Sequence, residues 1–110
     1  KERFDAVVVP GGWAPDRVRR DPKALALVKR LNDEGKVVAS ICHGAQVLIS
    51  AKILKGRKLT CVSAVRDDVI NAGADYVDRE VVRDRNLITS RIPDDLPHFC
   101  REIINALTSQ

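Results

Sequence analysis

An α/β fold, with helices packed on a mainly parallel sheet, is what this sequence predicts, and three features carry the prediction. Two short, continuous apolar runs end in glycine-bearing turns, as strands buried inside a parallel sheet do. A stretch with helical apolar spacing follows each of them closely. A last apolar stripe closes the chain on one more helix. Strands and helices alternating through short loops imply parallel strands joined by right-handed crossovers.

The elements follow in order. Ala6-Val7-Val8-Val9 is an apolar run stopped by Pro10-Gly11-Gly12, and is expected to be a strand buried on both faces. Asp21-Pro22 is an N-cap followed by Pro at the first helical position. Ala24, Leu27, Val28 and Leu31 then recur at helical spacing until Gly35 stops the helix. Val37–Ile41 is the second buried strand. A helix from Gly44 carries Ala45, Val47, Leu48 and Ala51 on an apolar side and ends before Lys55-Gly56. Leu59–Val62 is a third strand, and Ser63 can cap a short helix through Val69 and Ile70, stopped near Gly73. Tyr76-Val77 and Val81-Val82 are brief strand segments. The second of these pairs with Leu87-Ile88-Thr89 across the polar turn Asp84-Arg85-Asn86. Asp94-Asp95 opens the last helix, with Leu96, Phe99, Cys100, Ile103, Ile104 and Leu107 on one stripe.

Composition narrows the function. A chain of 110 residues holds one domain, and a hydrophobic share of 45% with 31% charged residues excludes disorder. No apolar run approaches the roughly 20 residues that a membrane span needs. Lys1-Glu2-Arg3-Phe4-Asp5 leads straight into a strand pattern rather than a signal peptide. The chain starts without Met, so its natural N-terminus is expected upstream. A net charge of +4 does not indicate nucleic-acid binding, because 15 acidic residues are interleaved with the 19 basic ones. Even the cluster Arg17, Arg19, Arg20 is flanked by Asp16 and Asp21, and few aromatics are present to stack bases. Three widely spaced cysteines without a CxxC pair form no disulfide framework and suit a reducing cytosol. Two histidines and no Cys/His cluster argue against a structural metal site.

The chemistry concentrates at Ser40-Ile41-Cys42-His43-Gly44, between a predicted strand and a predicted helix. Small-x-Cys-x-small is the cysteine counterpart of the hydrolase nucleophile elbow. A tight strand-to-helix turn pushes its middle side chain out at the sheet's C-terminal edge, so the residues two before and two after must be small. Unpaired N–H groups at the helix start favour a thiolate there. That edge is also where α/β proteins place their sites. A free cysteine is more often a packing residue, and this applies to Cys61, mid-strand, and Cys100, on the last helix's stripe; both are expected in the core. His98, beside that stripe, is expected at the surface. His43, adjacent to Cys42, is not expected to face the thiol as a residue from another strand would, yet it can reach a substrate. Pro10-Gly11-Gly12 ends its strand at the same edge, where glycine backbone N–H groups can approach a reacting centre.

At this point the sequence resembles a known family. Val9-Pro10-Gly11-Gly12-x-Ala14-Pro15-Asp16 and Ala39-Ser40-Ile41-Cys42-His43-Gly44-Ala45-Gln46 are similar to the DJ-1/PfpI superfamily, in particular its PfpI-type intracellular proteases. So are Leu54–Lys58, Asn71–Ala74, and Leu87-Ile88-Thr89-Ser90-Arg91-x-Pro93-x-Asp95-Leu96, and the order is collinear throughout. The resemblance implies a flavodoxin-like α/β/α sandwich, of the kind found in class I glutamine amidotransferases. It implies Cys42 as nucleophile, His43 as its partner, and Asp16 as the acid, reaching the histidine from a neighbouring subunit. The oxyanion hole would be formed by N–H groups of Gly12 and His43. It implies a homo-oligomer, a dimer or hexamer, working without cofactor or metal in the cytoplasm. Substrates of the family are peptides, methylglyoxal, or glycated amines and thiols.

Two departures stand out. The family domain begins about one third earlier, with a strand ending in a Glu that hydrogen-bonds the thiol, so residues 1–110 are expected to be the C-terminal two thirds of such a domain. Asp16 stands where many members have Glu, and Arg85 where relatives often have Gly. The function these residues imply is a cysteine hydrolase: an intracellular protease, or a glyoxalase or deglycase, attacking a small-molecule carbonyl or a peptide. The alternative is a non-enzymatic redox sensor or stress chaperone using the same cysteine. An acid at position 16 favours the enzyme, since a sensor needs no carboxylate to orient a histidine.

Overall fold

The computed structural model describes residues 3–109; the charged start Lys1-Glu2 lies outside the described residues. The first half of the chain forms β1 (Ala6–Val9), α1 (Ala14–Val18), α2 (Pro22–Asp33), β2 (Val37–Ile41) and α3 (Ala45–Ser50). The second half adds β3 (Lys58–Leu59), α4 (Arg66–Asn71), β4 (Asp75–Tyr76), β5 (Val82–Asp84), β6 (Leu87–Ser90) and α5 (Leu96–Thr108). Short 3-10 turns lead into α3, α4 and α5. A four-stranded sheet runs in the order β1-β2-β6-β5, and β3 and β4 pair separately. β1, β2 and β6 are parallel, while β5 returns antiparallel along β6. This is the α/β, mainly parallel architecture expected, consistent with a flavodoxin-like fold.

Register places the site. Val9 lies opposite Ser40, and Ile41 opposite Ser90, so the C-terminal ends of β1, β2 and β6 finish nearly level. Whatever follows those strands converges on one edge of the sheet. β2 is buried along its whole length, which fits its unbroken apolar run. Its alternate residues serve two cores. Val38 packs with Val28 of α2 and Val47 and Leu48 of α3. Val37, Ala39 and Ile41 pack with Ile88, Phe99 and Ala106 on the opposite face.

The local causes match the sequence pattern. Asp21 caps α2 by accepting from the Lys23 backbone N–H at 3.0 Å, with Pro22 at the first position. The start of α5 is held by Asp95, which accepts from the backbone and the guanidinium of Arg91 at 3.0 and 2.9 Å. Below the sheet, buried Arg57 donates to the Asp84 carboxylate, the Asp84 carbonyl and the Asn86 side chain, at 3.2, 2.8 and 2.9 Å. This fastens β3 to the β5–β6 hairpin. Burial works against ionisation of Asp84, but the Lys58 N–H and the Arg57 and Arg85 guanidinium groups outweigh it and hold the carboxyl below its usual range.

Several expectations are corrected. β1 is not buried on both faces: Val8 is 50% exposed, because it shares the Ala39 face of the sheet and α5 does not reach over it; among the described residues β1 is also an edge strand, paired with β2. The third strand is shorter than Leu59–Val62. Beyond Leu59 the backbone leaves the ladder, with the Thr60 N–H donating to Thr89 Oγ1 and the Val62 N–H to the Cys42 carbonyl. Cys61 therefore follows β3 rather than sitting in mid-strand, though it is buried as expected. Ser63 makes no cap hydrogen bond to the helix it precedes. Cys100 is exposed, not core, because α5 turns its Phe99–Ala106 side to the sheet and its Leu96–Ile104 flank outward. α1 leaves no mark in the sequence, because its five residues are too few to show helical periodicity.

Candidate active site

The elbow forms as its spacing requires. β2 ends at Ile41, and Cys42-His43-Gly44 makes a 3-10 turn that runs directly into α3. Cys42 has φ +61°, a left-handed conformation uncommon outside glycine, and such strain clusters at functional positions. The need for small neighbours can be measured. A Cβ on Gly44 would lie 2.6 Å from the Val9 carbonyl oxygen and 3.2 Å from Ser40 Cβ. A Cβ on Gly11 would lie 2.8 Å from Cys42 Cβ and 3.4 Å from Sγ. Glycine at both positions lets the loop after β1 press its backbone against the thiol.

His43 behaves differently from expectation. Its Nδ1 lies 3.4 Å from Cys42 Sγ, so the adjacent imidazole does face the thiol. The left-handed turn at Cys42 swings two sequence neighbours onto one side, which an ordinary strand or helix would not do. The pair can exchange a proton, from S–H to ring nitrogen or from ring N–H to thiolate. Both residues are partly buried.

A cleft of about 410 Å³ opens over this pair, lined by Gly12, Trp13, Asp16, Cys42, His43 and Gln46. All the site residues singled out in the sequence therefore meet in one place. α1 supplies Asp16 and is fastened to α3 by Arg19 Nε donating to Ser50 Oγ at 3.0 Å. Within this single chain, however, Asp16 does not bond His43. Its carboxylate accepts from Arg20 at 3.2 Å and is exposed. Acid and imidazole share the cleft without touching.

Two lining residues were not singled out as site residues. Gln46 is four residues after Cys42, one helical turn on, and that spacing was the available signal. Trp13 gave no periodic signal; it is placed by the turn after Gly12, which has φ +75°. His98 is exposed, as expected. Burial pushes the Cys61 thiol up to about 12, the opposite of what a nucleophile needs. Among the described residues no group of three or more His, Cys, Asp or Glu side chains gathers to hold a metal ion. No helix among them is long and apolar enough to cross a membrane.

Comparison with known proteins identifies the family. The model of the DJ-1/PfpI family matches residues 1–106. Deglycase PfpI of Pyrococcus furiosus is 53% identical over 106 residues, covering 96% of this chain and 64% of that protein. Protein/nucleic acid deglycase 2 of Escherichia coli is 50% identical over 105 residues, covering 94% and 61%. General stress protein 18 of Bacillus subtilis is 49% identical over 105 residues, covering 94% and 61%. The chain thus spans less than two thirds of the length of these curated relatives. Among solved structures, a two-domain protein of Anabaena variabilis with DJ-1/ThiJ/PfpI-like and ferritin-like domains superposes with a TM-score of 0.94 at 50% identity, covering 96% of this chain and 31% of that one. DJ-1beta of Drosophila melanogaster superposes with a TM-score of 0.91 at 31% identity, covering 99% and 59%. With its motifs, its fold and a family match along nearly its whole length, the chain belongs to the DJ-1/PfpI family.

Proposed function

We propose that this chain carries the nucleophile of a cofactor-independent cysteine hydrolase that acts on small carbonyl compounds, their amine and thiol adducts, or peptides. One observation carries the reading: a cysteine held at φ +61°, its Sγ 3.4 Å from an imidazole, at the floor of an open cleft. The names of the deglycase relatives favour carbonyl adducts over peptides.

In the first step the Cys42 proton passes to His43, and Sγ forms a bond to the carbonyl carbon. The displaced π pair moves to the oxygen, where the N–H groups of Gly12 and His43 receive it. From an amide, the C–N bond then breaks, the amine leaves with the proton held by His43, and water hydrolyses the thioester. From a ketoaldehyde, the adduct is a hemithioacetal. His43 first returns the thiol proton to the adduct oxygen and then takes the carbon-bound hydrogen as a proton, so that the C–H pair forms a C=C bond and the neighbouring carbonyl π pair moves onto its oxygen. His43 returns the proton to that neighbouring carbon, while the hydroxyl proton of the first carbon passes to the neighbouring oxygen and its O–H pair forms the thioester carbonyl. One carbon is oxidised and the next reduced, so no outside oxidant enters, and water releases a hydroxy acid from the thioester.

Asp16 fits this scheme as the acid that orients a histidine across an oligomer interface, since it does not bond its own chain's His43. Residues 1–110 form, on this reading, the C-terminal two thirds of a cytoplasmic domain. A preceding strand would lie along β1, which has no strand on its outer edge among the described residues, and would bring a Glu to the thiol. The deciding experiment measures lactate from methylglyoxal, and amine released from its adducts, with the full-length protein. Cys42→Ser is expected to abolish both and Cys100→Ser to retain them. Wild-type protein that shows neither activity, while peroxide converts Cys42 to a sulfinate, would replace the enzyme with the redox sensor.

A further inference from the structure

Trp13 is 91% exposed, while the next most exposed large apolar side chain, Ile104, is at 59%. Its position sets it apart further, because it stands in the wall of the cleft that holds Cys42 and His43. Its backbone is fixed: Trp13 is the N-cap residue of α1, its carbonyl accepts from the Asp16 N–H at 3.2 Å, and α1 is tied to α3. A fixed backbone carrying an uncovered indole is a platform set in advance at the mouth of a reactive site. The cleft's size points the same way. Pockets of about 300–1,000 Å³ take drug-sized ligands, and a cleft of about 410 Å³ is underfilled by a three-carbon aldehyde.

We propose that Trp13 is a specificity-determining residue that stacks on a flat aromatic or heteroaromatic group of the substrate, so that the site prefers carbonyl substrates bearing such a group over purely aliphatic ones. This deepens the hydrolase reading and rests on it. The stacked group would lie on the indole face while its carbonyl reaches Cys42. Gln46, in the same cleft, presents an amide to polar atoms of the attached group. Stacking on an aromatic side chain tolerates any flat π-face. Trp13 therefore selects for planarity rather than for one compound.

The test has two arms on the full-length protein. The first compares kcat/KM for phenylglyoxal and methylglyoxal, which share the reacting ketoaldehyde and differ in the group beside it. In Trp13→Ala the phenylglyoxal-to-methylglyoxal ratio is expected to fall on the order of tenfold, mainly through KM, and Trp13→Phe is expected to restore most of it. The second arm needs no turnover. In the Cys42→Ala protein, mandelamide and lactamide, the neutral amides of the two product acids, are titrated while tryptophan emission is read. The signal from Trp13 is isolated by repeating the titration in Cys42→Ala/Trp13→Phe. Mandelamide is expected to change Trp13 emission at concentrations where lactamide does not. An absence of turnover with either aldehyde would sink the hydrolase reading alone, and the emission arm would still judge Trp13. A substrate ratio unchanged in Trp13→Ala overturns the proposal. So does Trp13 emission that neither amide alters, or that is blue-shifted and shielded from acrylamide because a partner subunit covers the indole.

Discussion

The two faces of the central sheet are covered to very different degrees. On one face α2, α3 and α4 close over Val38 and Leu87, and Leu48, Leu59 and Val69 are fully buried there. On the other face α5 is the one helix among the described residues. It buries Ala39 and Ile88 beneath Phe99 and Ala106, but Leu96, Ile104 and Leu107 remain 43%, 59% and 37% exposed, and Val8 on the edge strand 50%. The residue types hardly differ between the faces; the number of neighbouring elements does. Apolar character makes a residue a candidate for the core, and the topology decides whether anything arrives to cover it. The elbow sits at the junction of the two faces. Gly44 abuts β1 and Ser40, while Cys42 packs against the α5 side. The position of Cys42 thus depends on both faces, including the less covered one.

The largest effect that can break this comparison is on folding as a whole. These 110 residues expressed alone are expected to aggregate and to lack a cooperative melt. The outer edge of β1 offers unpaired backbone groups beside half-exposed Val8, a template for pairing with other chains. A stability of about 5–15 kcal/mol leaves little to offset a sheet face this sparsely covered. A monodisperse peak with a sharp thermal transition would show that α5 alone suffices. Within the full-length protein, Leu48→Ala on the closed face is expected to cost about 3 kcal/mol by urea denaturation. Ile104→Ala gauges the other face. If α5's flank is bare there, the change costs under about 0.5 kcal/mol; if a further segment packs on it, the cost approaches that of Leu48→Ala.

Most of the architecture was legible because its causes are local. The strand limits of β1 and β2 are marked by Pro10 and by the elbow, and the start of α2 by Asp21-Pro22. The hairpin follows from its polar turn. The elbow was legible for a steric reason, since any side chain at 44 would run into the Val9 carbonyl and the Ser40 side chain. What was not legible depends on long-range arrangement. Cys100 and Ile104 carry the pattern of core residues, and no sequence pattern says that α5 turns that flank away. The approach of His43 to Cys42 required the φ of one residue. Trp13 and Gln46 joined the site only when the strand ends lined up.

A third prediction concerns how α5 is anchored to the sheet. Asp95 is 3% exposed and accepts from Arg91 Nε and a terminal Arg91 nitrogen, Nη2, at 2.9 and 3.0 Å. The Arg91 hydrogen bonds hold its carboxyl below the usual range, more than offsetting burial. A carboxyl whose pKa is lower folded than unfolded stabilises the fold above its unfolded pKa, near 4, and loses that contribution as the pH falls through the folded value. Asp95→Asn should therefore cost about 2 kcal/mol at pH 7. The gap between variant and wild type should close as the pH drops below about 4. A deficit that stays constant from pH 7 to pH 3 would mean that Asp95 acts by shape rather than charge.

The smallest effect lies at the opposite edge of the sheet, in the β5–β6 turn. Arg85 has φ +56°, a backbone conformation that costs a residue with a Cβ about 1–2 kcal/mol relative to right-handed geometry. Glycine removes that cost, but the unfolded chain gains freedom that offsets part of it. The side chain contributes little in return. It is 75% exposed, and its ion pair with Asp84, at 3.3 Å, is of the surface kind that adds almost nothing measurable. What the turn needs from residue 85 is its backbone carbonyl, which accepts from Arg83 Nε at 3.1 Å and would remain in a glycine variant. Arg83 in turn reaches Glu102 of α5 at 3.0 Å, so a better-formed turn also steadies that helix. Arg85→Gly is therefore expected to stabilise the full-length protein by about 0.5–1 kcal/mol, a rise of about 1–4 °C in Tm. A fall in Tm would show that the Arg85–Asp84 pair matters more than the strain beneath it, and that this edge is held by its side chains rather than by its backbone.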